Sequence, residues 1–129
     1  MGRRVLINMQ DNYTEQLERL IKISSDIFSS SIVNINGFPI ASITDEIVDD
    51  TKLSAMIAAI YSCGKQLINE MKNGTIEQIF IKSTEGYIII SSAGQNKALM
   101  IATDKDWISF DNKDFAKTMP SYLNNPVEL

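Results

Sequence analysis

The residue types on which most enzyme chemistry depends are scarce in this chain. Among its 129 residues there is no histidine, and Cys63 is the one cysteine. A zinc site needs imidazole or several thiolates, Ser-His-Asp and Cys-His nucleophile systems need an imidazole base, and a disulfide framework needs at least two cysteines. Carboxylates are what remains. Asp45, Glu46, Asp49 and Asp50 make one acidic run. It lacks the glycine and the alternating oxygen ligands of a calcium loop, and it reads as the acidic entry to a helix. Asp104, Asp106, Asp111 and Asp114 make a second group with no base beside them, which reads as solvated, cap-forming carboxylates, not an acid–base pair. The glycines at 2, 37, 64, 74, 86 and 94 are too dispersed for a phosphate loop or a dinucleotide turn. No metal, cofactor or nucleotide is expected to bind the chain itself.

Composition narrows the field further. Lys+Arg total 12 against Asp+Glu 16, for a formal charge of −4 and a pI near 4.7. That balance offers no excess of cations to displace counterions from a phosphate backbone, so nucleic acid is not an expected partner. An apolar content of 44% suits one globular core. Arg3 and Arg4 precede only Val5–Ile7, too short an apolar stretch for a signal peptide or a membrane span. Leu6 stands where a myristoylation motif wants Ser or Thr. With one cysteine and no leader, the expectation is a soluble cytoplasmic protein that does not insert in membranes, and the sequons at Asn12 and Asn73 are chance matches.

The elements that must position any site follow from periodicity. Asn12 and Glu15 have the spacing of a capping box, and Tyr13, Leu17, Leu20 and Ile21 form one helical stripe. Ile27–Asn36 and Phe38–Ile43 read as a hairpin about Asn36-Gly37, with Pro39 placing the second strand at the outside of the sheet. A long helix follows, in which Leu53, Met56, Ile57, Ile60, Gly64, Leu67, Ile68 and Met71 make the stripe predicted to face the sheet. Its acidic entry, with Lys65 and Lys72 toward its end and Asn73-Gly74 after it, agrees with the helix dipole. Ile76–Lys82, Gly86–Ser92 and Lys97–Thr103 then form a three-strand meander, apolar on both faces as for a sheet covered on both sides. Asp111 and Asp114 open a last short helix ending before Pro120. The domain is expected over residues 11–119, with fraying extensions at 1–10 and 120–129.

This order resembles the Roadblock/dynein light chain domain family. The best stretch is Ile32-Val33-Asn34-Ile35-Asn36-Gly37-Phe38-Pro39-Ile40-Ala41-Ser42, similar to that family's apolar strand, Asp/Asn-Gly turn and Gly-x-x-Ile-Ala-Ser strand. The Ala-rich middle helix is a second match. Ile76–Ile81 followed by Glu85–Ile90 around a Gly turn is a third. The resemblance implies an α+β fold of αββαβββα order, in which a five-stranded antiparallel sheet of order 2-1-5-4-3 carries the long helix on one face and the two shorter helices on the other. It also implies a dimer, as a homodimer or with a related chain, and partnership with a Ras-like small GTPase, which family members scaffold or stimulate to hydrolyse GTP; others are dynein-associated light chains. Acidic residues common in the family's turn are replaced here by Asn34 and Asn36, and the first ten residues match nothing in it.

With the Ile/Leu/Met stripe facing the sheet, the small residues Ala55, Ala58, Ala59 and Ser62 are surplus to internal packing. Together with Ile76, Gln78, Ile79, Phe80 and Ile81 of the third strand they are assigned to a dimer interface. Cys63, among small residues, reads as a buried side chain. Of Arg3, Arg4 and Arg19, none is well placed as a finger for a GTPase, and repositioning of the GTPase's own groups is the better route to faster hydrolysis. Trp107 and Phe110 either anchor a partner or cover the sheet edge. The functional expectation is a non-enzymatic regulator or scaffold of a GTPase. A structural adaptor light chain and a small-molecule sensing domain are the alternatives, the last requiring a large apolar pocket.

Overall fold

In a computed structural model, residues 4–8, 11–23, 26–44 and 48–104 are described. The elements are β1 Arg4–Asn8, α1 Asp11–Ile23, β2 Ile27–Asn34, β3 Pro39–Thr44, α2 Asp50–Glu70, β4 Gln78–Lys82, β5 Gly86–Ser92 and β6 Lys97–Asp104. All strand pairs are antiparallel, in the order β1-β3-β2-β6-β5-β4. Setting β1 aside leaves the expected 2-1-5-4-3 arrangement of the family-like strands. The last predicted helix, at 111–119, lies outside the described residues.

The two faces of the sheet carry separate apolar clusters. Leu17 and Ile21 of α1 meet Ile27, Ile32, Ala41, Ile43, Ile89, Leu99 and Ile101 on one face. Ile57, Ala58 and Tyr61 of α2 meet Val33, Ile90, Ala98, Met100 and Ala102 on the other. Alternate residues of β2, β5 and β6 therefore enter opposite cores, which is why neighbouring positions such as Ile32-Val33, Ile89-Ile90 and Ala98–Ala102 are apolar in succession.

Turns and caps follow local chemistry. Between β2 and β3 the Asn36 N–H donates to Asn34 Oδ1 at 2.6 Å, and the Gly37 N–H donates to the Asn34 carbonyl at 2.8 Å. The hairpin is where Asn-Gly predicts it. Asp49 caps α2, its Oδ1 accepting from the Lys52 N–H at 3.1 Å, so this part of the acidic run does serve the helix entry. At the other end the Asn73 N–H reaches the Ile68 carbonyl and the Lys72 N–H the Asn69 carbonyl, both at 3.1 Å. With Lys72 at φ 52° this is a Schellman stop, complete before Gly74 is reached.

Several expectations need correction. The first ten residues do not simply fray, because Arg4–Asn8 add a sixth strand to β3. That strand turns β3 into an inner strand, so Pro39 does not mark the edge of the sheet. It is the first residue of β3, beyond Ala41 where the β1 pairing ends, and its missing amide breaks no ladder there. α1 begins at Asp11, placing Asn12 inside the first turn and not at the cap. The face of α2 turned to the sheet is only partly the predicted one: Leu53 and Ile57 of the expected stripe pack on it, but its centre is rotated. Ser54, Ile57, Ala58 and Tyr61 are buried, whereas Met56, Ile60, Leu67 and Met71 are 51%, 37%, 63% and 69% exposed.

Candidate functional site

That rotation of α2 defines the most distinctive surface of the molecule. Ser54, Ile57, Ala58 and Tyr61 have the i, i+3, i+4, i+7 spacing of a buried stripe, and the small Ser54 and Ala58 within it let the helix backbone approach the sheet. The longer side chains are displaced to the outside. At Gly64 an added Cβ would lie 2.8 Å from Ile79 Cδ1 and 3.0 Å from Ile76 Cδ1. Here the ends of the Ile76 and Ile79 side chains reach the α2 backbone.

Beside this contact, Ile60, Gly64, Leu67 and Ile68 of α2 and Ile76, Gln78 and Ile79 line an open groove of about 310 Å³. It joins the exposed ridge of α2 to the sheet edge. Strand β4 pairs only with β5 among the described residues. Its register with β5 sets Ile79 opposite Ile90 and Ile81 opposite Ile88, on the α2 face, and Phe80 opposite Ile89, on the α1 face. Phe80 is 46% exposed, and Ile81 and Ile88 follow at 37% and 38%. Apolar side chains thus continue from a helix ridge onto a strand that, among the described residues, lies at the edge of the sheet.

Of the residues assigned from sequence, Ile76, Gln78 and Ile79 line the groove, and Phe80 and Ile81 extend it along the edge. Ala55 and Ala59 are exposed and Ser62 is half-buried. Ala58 is 4% exposed within the chain's own core, and its place is internal packing. Sequence reasoning missed Ile60, Leu67, Met71 and Ile88 as surface residues. The available signal was that α2 carries more apolar positions than one face of a helix can bury. Cys63, expected to be buried, is exposed. Arg19 is exposed on α1, across the sheet from the α2 ridge. Asp104 is exposed at the end of β6, while Asp45, Glu46, Asp106, Asp111, Asp114, Arg3, Trp107 and Phe110 lie outside the described residues.

Among the described residues no group of three His, Cys, Asp or Glu side chains converges as a metal site would require, and no helix is long and apolar enough to cross a membrane. The sequence matches the Roadblock/LC7 domain over residues 13–103, from the first sheet-facing residue of α1 almost to the end of β6. The chain belongs to the Roadblock/LC7 family. No curated protein matches the sequence. Solved Roadblock-type structures do resemble the fold. Myxococcus xanthus MglB has a TM-score of 0.78 at 17% identity, over 88% of this chain and 93% of that one. The gliding protein MglB from Thermus thermophilus has a TM-score of 0.76 at 14% identity, over 92% and 90%. MglC from M. xanthus gives 0.58 at 16% identity, over 92% and 99%. At such identities the likeness is one of fold. The Roadblock/LC7 match begins after β1.

Proposed function

We propose that this Roadblock/LC7 chain is a non-catalytic, dimeric regulator or scaffold of a Ras-like small GTPase. The observation that carries the reading is the continuous apolar surface from the α2 ridge, through the groove at Gly64, to the open edge of β4. Family membership supports it, as does the similarity to MglB and MglC structures. Fully burying a Leu, Ile, Met or Phe side chain contributes about 1.5–3 kcal/mol. Ile60, Leu67, Met71, Phe80, Ile81 and Ile88 are 37–69% exposed in the single chain, so their further burial on each copy would offset much of an association cost on the order of 10 kcal/mol.

In this reading two copies of β4 pair antiparallel about a twofold axis normal to the sheet, and α2 of each flanks the seam. An axis beside Phe80 sets Ile79 of one copy opposite Ile81 of the other on the α2 face, where the groove already gathers apolar side chains. The GTPase docks on a surface made by both copies, and any faster hydrolysis comes from repositioning the GTPase's own catalytic groups, not from an arginine of this chain.

The test is GTP turnover by Ras-like GTPases, measured with and without the protein alongside direct binding. Binding with faster turnover identifies a regulator, and binding at unchanged turnover identifies a scaffold. Absence of binding across such GTPases removes the reading and leaves a structural adaptor.

A further inference from the structure

Among the described residues the sheet ends on two unlike edges. β4 runs in unbroken register against β5, from Gln78 opposite Ser91 to Lys82 opposite Tyr87, and its centre is Ile79-Phe80-Ile81. A regular apolar edge of this kind is a template for another strand. β1, at the far side, is the opposite. It is 5 residues long and opens with Arg4, and its register against β3 shifts between Leu6 and Asn8, which face Ser42 and Ala41. Shortness, a charge and a bulge are the devices by which natural sheets blunt an edge.

The strand beneath that edge has none of them where β1 covers it. Ala41, Ser42, Ile43 and Thr44 of β3 are 0%, 3%, 1% and 1% exposed, and β1 takes up the outward side of this run from Thr44 to Ala41. Beyond Ala41, where β1 no longer reaches, β3 begins with Pro39, which has no amide to offer a further strand. Each stretch of the β3 edge is thus either covered or lacks a donor at its start.

We propose that β1 is an edge cap that confines strand-mediated association to β4 and thereby sets the stoichiometry of assembly. A sheet with one adhesive edge pairs once about a twofold axis and stops. A sheet with two, β4 and an uncovered β3, adds subunits at both sides and grows into an open chain. The choice of β4 as the pairing edge rests on the dimer reading above, whereas the capping of β3 does not. The device works through backbone hydrogen bonds, since the side chains of Ala41 and Ile43 are already held in the core cluster beneath α1.

Val5→Pro and Leu6→Pro, made separately in the full chain, test it. Successive amides of a strand point to opposite sides, so one of the two prolines removes a bond to β3 and the other replaces an amide facing solvent. Light scattering over a range of concentration should show the unmodified chain holding the mass of a dimer. One proline variant should at least double that mass as concentration rises, and the other should remain a dimer. Adding Phe80→Lys to the growing variant should stop its growth at dimers paired through β3. A monomeric unmodified chain would sink the β4 dimer alone, and the cap would then stand if a proline variant associates where the unmodified chain does not. Two folded proline variants of unchanged mass overturn the cap. So does loss of cooperative unfolding in either one, because β1 would then be part of the core and not a removable cover.

Discussion

Single residues separate the inner side of α2 from its outer side. Ala58 and Ala59 are neighbours of the same type, yet Ala58 is 4% exposed against Val33, Ala98 and Met100 while Ala59 faces outward. Ala58→Glu should cost several kcal/mol, because a buried unpaired carboxylate must either be desolvated or take up a proton. Urea unfolding of Ala58→Glu and Ala59→Glu should show a large loss for the first and a change within about 0.5 kcal/mol per folded subunit for the second. Cys63, on the exposed side, should react with a thiol reagent in the folded chain without denaturant, and more slowly at concentrations where the dimer forms. Ser30 makes the converse case. It is fully buried between Ile43 of β3 and Ile101 of β6, and its hydroxyl has no hydrogen-bond partner among the described residues. Ser30→Ala should leave stability unchanged or raise it by up to about 1 kcal/mol, since an unsatisfied buried hydroxyl costs more than it contributes.

The elements are held by a few backbone demands. Gly86 opens β5 at φ +156°, and a Cβ there would run into the Thr103 carbonyl of β6. Gly86→Ala should therefore destabilise by more than about 1 kcal/mol, read as a lower urea midpoint at unchanged slope. Asp49 shows the weaker effect of a cap. Asp49→Ala should cost about 1 kcal/mol through loss of the bond to the Lys52 amide, with association unchanged because this residue stands at the helix end remote from Gly64. Between these elements, Gly64 leaves space against α2 for the ends of Ile76 and Ile79. Gly64→Val would have to displace Ile76 and Ile79, and it should loosen the groove more than it lowers the stability of the sheet beneath.

For the molecule as a whole, the decisive quantity in the proposed dimer is the register of the two copies. In a Cys63→Ser background, cysteines placed singly at 79, 80 and 81 should crosslink across the dimer most readily at 80, the position beside the proposed axis. Efficient crosslinking at none of them would exclude pairing through β4. Leu67→Glu, at a site 63% exposed in the single chain, should leave the fold intact and shift light scattering toward the monomer. If the GTPase binds a surface composed of both copies, the same variant should lose GTPase binding in proportion. Unchanged affinity in a folded monomer would show that one copy suffices.

Much of this protein is legible without coordinates. The Asn-Gly hairpin, the long helix with its acidic entry, the three-strand meander and its apolar faces all depend on neighbours within a few positions, and each stands where the sequence places it. The absence of histidine excludes an imidazole site in this sequence, and the lone cysteine excludes a disulfide within it, by composition alone. What needed tertiary structure was the choice among surfaces of similar local character. α2 carries two apolar stripes, and neither periodicity nor propensity says which one meets the sheet. Ser54, Ala58 and Gly64 decide it by allowing a close approach that Met56, Ile60 and Leu67 would obstruct. Residues 4–8 are too short and aperiodic to announce a strand. They become one because β3, distant in sequence, presents unpaired amides and carbonyls that an extended segment can satisfy.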